Sequence, residues 1–338
     1  MNHTAFFAAV KAGEIGTCYL MEGTEEYIKQ QALARLKERI LPAGMESMNV
    51  TELINPETDT LIAAAETLPF LGDKRLVVVR DCDLLTAGRK QENEDKAQAI
   101  LEYLPRASPS TCLVFVIKGK ADGRKKLYTY LKKKDAIVDF SPMTDGECVT
   151  WIQRTLRSRG KQIDTRTAEL LVFTVGRDAA MLRQEMDKLA NYAGDRVLLE
   201  SSDIEAVCTQ SLECTVFQMV DAQVAGRYRE AFDLLSRMVR AGEDRMMVLS
   251  MLLRQYRILF HMRCLMEEGT PKTSYATLLG IPPFAVERTQ SQARRYNRES
   301  LRTAYDALVN MEQEIKAGKI SQEGCAEMAM LQLNGILG

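Results

Sequence analysis

Two uninterrupted apolar runs, Leu76-Val77-Val78-Val79 and Leu113-Val114-Phe115-Val116-Ile117, limit what this chain can become. A strand with one wet face alternates apolar and polar residues. These runs do not alternate, so a strand at either place must hide both faces. With their neighbours they predict strands at Arg75–Arg80 and Cys112–Lys118, joined by further short apolar runs at Cys18–Met21, Met48–Leu53 and Ala136–Phe140. Helical periodicity fills the intervals near 25–40, 58–67, 92–105 and 123–134. Strands alternating with helices predict a five-stranded parallel sheet with helices on both faces, an α/β domain over residues 1–141.

After Ser141-Pro142 the strand signal ends. Thr144-Asp145-Gly146-Glu147 has capping-box spacing and opens a helix that Gly160 closes. Asp164 and Asp178 begin two more, and Ser202 or Asp203 a short fourth, giving a small helical module over 142–210. Residues 211–338 read as a bundle of six or seven helices, with long segments at 244–268, 299–317 and 320–337. Pro283 suits the first position of one of them. The methionines Met238, Met246, Met247, Met251, Met262 and Met266 signal adaptable core or interface packing there.

Composition excludes several classes. With Lys+Arg 45 against Asp+Glu 46, any nucleic-acid contact has to use a local patch. No two of the eight cysteines form a C-x-x-C pair and most sit in apolar runs, as expected of reduced thiols in a cytoplasmic protein. Only His3 and His261 exist, so a histidine zinc site or histidine base has almost no raw material. No apolar run reaches the roughly 18 residues of a membrane span, and Lys11 and Glu14 interrupt what would be a leader.

The chemistry inventory is equally restrictive. The turn after the first strand reads Glu22-Gly23-Thr24-Glu25-Glu26, with no Gly-Lys-Ser/Thr. A phosphate cradle needs bare N–H groups, a lysine and a hydroxyl for magnesium, whereas two adjacent carboxylates repel phosphate. Asp81, after the Leu76–Val79 run, sits where a strand-end magnesium ligand would, but a buried strand ending in a polar turn gives the same pattern. No nucleophile elbow is present, and no cysteine has a histidine near it in sequence. Two basic patches are candidate DNA or subunit contacts: Lys125 and Lys126 within Lys118–Lys134, and Arg294, Arg295 and Arg298 beside Tyr296. The plainer reading, and the one the sequence favours for each, is a solvated helix face. Thr67-Leu68-Pro69-Phe70-Leu71-Gly72 sets three large apolar residues in a helix-to-strand connection. Burying each is worth about 1.5–3 kcal/mol, so either they fold onto their own domain or they anchor in a partner's pocket.

Six stretches in order resemble the delta subunit family of bacterial DNA polymerase III, a clamp-loader family. They are Cys18–Glu26, Glu66–Val79, Arg124–Tyr128, Gln184–Leu189 with Tyr192, Ala293–Arg295 and Ile315–Lys319. The resemblance implies an AAA+-like first domain without a working ATP site, a small helical lid domain and a helical collar for oligomerisation. It implies no catalytic activity in this chain alone, though the holoenzyme is a DNA-directed DNA polymerase. It implies no cofactor, ATP being bound by partner subunits. The implied partners are the ring-shaped sliding clamp (beta), the gamma/tau and delta-prime subunits, and primed DNA within the complex, with no membrane. The family's clamp-binding loop matches Leu68 and Phe70, flanked by Thr67 and by Leu71, where relatives often carry Phe. Such a loop would open the ring by binding its open form better, without covalent chemistry, and motion of the 142–210 module would gate its exposure. The rival readings are an active nucleotide-dependent AAA+ enzyme with an unorthodox site and a stand-alone DNA-binding protein.

Overall fold

The structure, a computed structural model, describes residues 1–41, 44–86 and 91–337, with 91–94 described in backbone only, and divides into units Met1–Met143 and Thr144–Gly338. In the first unit the strands are β1 (Cys18–Glu22), β2 (Val50–Ile54), β3 (Arg75–Arg80), β4 (Thr111–Val116) and β5 (Ile137–Asp139). They form one parallel sheet in the order β2-β3-β4-β1-β5. The two uninterrupted runs lie in β3 and β4, neither of them an edge strand, and Leu76 to Val79 and Cys112 to Ile117 are buried throughout.

The first unit's helices are α1 (His3–Ala12), α2 (Glu26–Ile40), α3 (Glu46–Asn49), α4 (Thr58–Glu66), α5 (Gln91–Tyr103) and α6 (Lys126–Lys133). One face of the sheet (Leu20, Val77, Val79, Leu113 and Phe115) packs with Leu61 of α4, Ile100 of α5 and Leu127 and Leu131 of α6. On β1 the neighbouring Tyr19 meets Phe6 of α1 edge-on, ring centroids 5.2 Å apart. The expected AAA+-like α/β fold is the one found. One local reading needs correction. Met48 belongs to the single-turn helix α3, because Met48 and Asn49 donate back to the Met45 carbonyl, so the strand begins at Val50. The chain's start is helical, with Asn2 capping α1 through a bond from Ala5 N.

The second unit opens with α7 (Asp145–Arg157), α8 (Thr165–Val175), α9 (Ala179–Tyr192) and α10 (Ser201–Val207). Thr144 and Glu147 close the expected capping box, and Asp164 and Asp178 accept from Thr167 N and Met181 N. Strand structure does not end at Pro142: β6 (Gln162–Ile163) pairs in parallel with β7 (Leu198–Leu199). The fourth helix is capped one turn before Asp203, whose carboxylate accepts from Glu200 N at 2.9 Å. Seven helices follow among the described residues: α11 (Leu212–Val224), α12 (Tyr228–Arg240), α13 (Arg245–Glu267), α14 (Tyr275–Leu279), α15 (Pro283–Arg294), α16 (Arg298–Lys316) and α17 (Cys325–Leu337). The last begins at Cys325 rather than near 320.

Helix α13 runs through the middle of this group. Leu249, Leu252, Tyr256, Leu259 and Met262, at spacings of three and four, with Val248 beside the first, bury against Leu301, Leu308 and Ile315 of α16 and Ala326, Met330 and Leu333 of α17. Tyr256 donates to Gln223 Oε1, and Gln223 Nε2 donates to Asn334 Oδ1, so these three interior side chains partner one another. Met238 and Met262 are core and Met246, Met251 and Met266 pack against it, while Met247 is exposed.

Candidate functional site

In a nucleotide-binding α/β domain the turn after β1 holds the phosphates. Here it is closed by its own chain. Gly23 donates to Gly119 O and accepts from Gly119 N, and Glu25 N donates to Phe140 O. Gly23 has φ +118°, and a Cβ there would lie 2.2 Å from the Phe140 carbonyl carbon. Lys29 of α2, one of the most buried side chains in the unit, donates to Gly23 O and Ile117 O, both at 2.8 Å, and pairs with Glu26. The buried Glu22 carboxylate accepts from Ala121 N at 2.9 Å and from Lys120 at 3.4 Å. Burial works to lower the Lys120 ammonium, but the Asp139 and Glu22 carboxylates outweigh it and raise its pKa. The Gly23 and Glu25 amides and the lysine that a phosphate cradle would turn toward its ligand are spent on the protein itself.

Of the two acids after β3, Asp83 is also engaged. Asp83 accepts from Asn55 Nδ2 at 2.9 Å and its N–H donates to Asn55 Oδ1 at 3.0 Å, which ties the ends of β2 and β3 together. Among the described residues no group of three or more His, Cys, Asp or Glu is arranged to hold a metal ion, Asp81 included. Five thiols, Cys82, Cys112, Cys148, Cys214 and Cys325, are buried. Burial pushes Cys112 up to about 12, too high for a nucleophile near neutrality.

The connection from α4 to β3 is of another kind. Leu68, Phe70 and Leu71 are 74%, 50% and 72% exposed, so they do not fold into their own domain. Their backbone, by contrast, is held from beneath. Asn49 is fully buried; its Oδ1 accepts from Phe70 N at 2.7 Å and its Nδ2 donates to Phe70 O at 2.9 Å. Arg75, 5% exposed, reaches Leu68 O with Nη1 at 3.4 Å and Thr51 Oγ1 with Nη2 at 2.8 Å. Among the described residues no carboxylate pairs with it, and burial lowers its pKa. Thr67 ends α4, its hydroxyl donating to Ala63 O at 2.8 Å. Leu71 has φ +50°, a left-handed conformation costly for a leucine. Apolar side chains are turned to solvent while the polar backbone is fixed, an arrangement suited to inserting into an apolar pocket. Sequence reasoning missed Asn49 and Arg75. The parallel register Val50↔Leu76 brings Asn49 beside the chain entering β3, which spacing alone does not reveal.

The basic residues are distributed unevenly. Lys125 occupies the N-cap position of α6 without a side-chain capping bond and Lys126 is the helix's exposed first residue, while Arg124 turns back onto Asp122. In the second unit Arg294, Arg295 and Arg298 meet at the turn from α15 to α16. All three are exposed, and Arg295 Nη1 donates to Val224 O at 3.3 Å. Arg288 is withdrawn from that patch by Asp221 and by stacking over Phe217, 5.1 Å from the ring centroid. No helix among the described residues is long and apolar enough to cross a membrane.

The class is defined by an AAA+-like α/β domain whose turn after β1 is closed on its own chain, in a chain that continues as a helical unit with one short parallel pair. Two family models match, DNA polymerase III, delta subunit, over residues 19–141 and the C-terminal domain of the same subunit over 213–333. The chain belongs to the DNA polymerase III delta subunit family. It is 28% identical over 329 residues to the DNA polymerase III subunit delta of Bacillus subtilis (strain 168), covering 96% of this chain and 95% of that protein. A solved structure of a Bacillus subtilis DNA clamp loader delta protein superposes with a TM-score of 0.56 at 26% identity, covering 98% of this chain and 99% of that one.

Proposed function

We propose that this chain is the clamp-binding subunit of a bacterial clamp loader and opens the sliding clamp with the Thr67–Gly72 loop. The observation that carries this reading is the exposure of Leu68, Phe70 and Leu71 on a backbone pinned by Asn49 and Arg75. Three solvated apolar groups within four residues are a standing cost, and insertion into a partner's pocket recovers part of the roughly 1.5–3 kcal/mol that full burial of each is worth, least for the half-buried Phe70. A closed ring whose open form is a minor state shifts toward opening by the difference in affinity of the loop for the two forms. No bond is made or broken.

The closed Gly23 turn supports the second part of the reading: the chain binds no nucleotide, and ATP acts on neighbouring gamma-type and delta-prime subunits. Residues 1–141 are the clamp-binding domain, 142–210 a lid-like helical domain and 211–338 the collar through which the subunits assemble in the cytoplasm. The Arg294, Arg295 and Arg298 patch and the Lys125 and Lys126 pair are contacts for a neighbouring subunit or for primed DNA held in the complex.

The test is binding of the purified chain to its cognate sliding clamp without nucleotide. A complex formed equally well with and without ATP is expected, together with no calorimetric signal when ATP is titrated into the chain alone. Failure to capture the clamp at micromolar concentration would remove the reading.

A further inference from the structure

We propose that Asn49 is the positioning residue that presets the Leu68–Gly72 loop for docking, a role that rests on the clamp-binding reading. Asn49 lies at the end of the single turn α3, fully buried, and its one side-chain amide contacts both polar groups of Phe70. Paired donation and acceptance at one residue fix the peptide planes on both sides of Phe70, and with them the direction in which its side chain leaves the backbone. The same Nδ2 donates to Met45 O at 3.2 Å, which anchors the amide to its own turn. A second hold acts two residues earlier, where the buried Arg75 guanidinium reaches Leu68 O. A loop carrying three solvated apolar side chains gains by collapsing them onto the nearest surface. The amide opposes that collapse, because leaving this position strands the buried Oδ1 of Asn49 without its partner.

The consequence is kinetic. With the loop already in its docking conformation, its ordering is not charged to association. Without the amide every molecule still binds, but each holds the docking conformation for only a fraction of the time, and the apparent dissociation constant rises by the inverse of that fraction.

The experiment measures association and dissociation rates of full-length wild type, Asn49→Ala, Asn49→Asp and a Leu68→Ala/Phe70→Ala variant with the cognate sliding clamp, each referred to the binding-competent concentration found by titration. Asn49→Ala is expected to slow association about tenfold with dissociation nearly unchanged. Asn49→Asp keeps the acceptor for Phe70 N–H but sets a carboxylate against Phe70 O, and is expected to be at least as slow. A merely structural role would lower the competent concentration and leave the rate constants of the remainder unchanged, which overturns the proposal. A wild-type association rate in Asn49→Ala overturns it too when the Leu68/Phe70 variant loses binding. If that variant binds normally, the clamp-binding reading itself has failed. Amide hydrogen exchange in the unbound wild type tests the same point without any variant: Phe70 N–H is expected to be protected within an exposed loop, and unprotected exchange contradicts the proposal.

Discussion

The ammonium nitrogen of Lys29 lies 2.8 Å from the Gly23 carbonyl oxygen and 2.8 Å from that of Ile117, joining the turn after β1 to the end of β4. A buried cation satisfied by main-chain carbonyls is expensive to disturb, because those carbonyls have no water to turn to. Lys29→Met fills similar space and removes the donor. It is expected to destabilise the chain by about 2–4 kcal/mol in urea unfolding, without creating ATP binding. A loss below about 0.5 kcal/mol would mean that the ammonium does not hold the turn closed.

Gly23 is held more tightly still. With φ +118° and the Phe140 carbonyl carbon 2.2 Å from where a Cβ would sit, Gly23→Ala has neither the conformation nor the space it needs. It is expected to be insoluble, or destabilised by more than about 4 kcal/mol. Gly146→Ala, in the first turn of α7 with nothing within 4 Å of its Cβ, serves as the control and is expected to gain about 0.4–1 kcal/mol. Equal melting temperatures for the two variants would contradict the packing described.

Leu71 separates stability from binding. Its φ of +50° stores about 1–2 kcal/mol that glycine would relieve, and glycine loses a similar amount through a freer unfolded chain. Leu71→Gly is therefore expected to melt within a few degrees of wild type while binding the clamp more weakly. Lower stability with unchanged clamp affinity would assign Leu71 to the fold instead.

Acid sensitivity should concentrate partly at Asp221. Burial works to raise its carboxyl, but Arg288 and Gln292, both donating to it, outweigh burial and hold its pKa below the usual carboxylate range. Between the folded value and the unfolded value near about 3.9, the unfolded chain binds the extra proton. The contribution is complete above the unfolded pKa and is lost as pH falls through the folded one. Asp221→Asn is expected to cost about 1 kcal/mol at pH 7, given that Arg288 is half exposed, and to flatten the loss of stability below pH ~4. An unchanged acid limb in chemical unfolding would remove Asp221 from the account.

The α/β domain was legible because its signal is local. Continuous apolar runs mark strands hidden on both faces, and β3 begins and ends at Arg75 and Arg80, where the sequence placed it. The capping residues Thr144, Asp164 and Asp178 were legible for the same reason, each acting on an amide three residues on. The pair β6 and β7 was not, since two-residue strands 36 positions apart leave no periodic trace. Helix α1 was not legible either, since its ten residues bury only Phe6 and Val10, too few to set a period. At the candidate site, the apolar content of Leu68, Phe70 and Leu71 was plain from the sequence, but their direction was not. Direction depends on Asn49, 21 residues upstream of Phe70 and brought there by strand register.

The central claim is that Leu68 and Phe70 enter a pocket on the sliding clamp. Titration calorimetry of the Leu68→Ala/Phe70→Ala variant against the cognate clamp, beside wild type and with matched folded fractions, tests it directly. The account predicts affinity weaker by at least about a hundredfold, as expected when two anchor side chains are lost from one pocket. Wild-type affinity in that variant would contradict it.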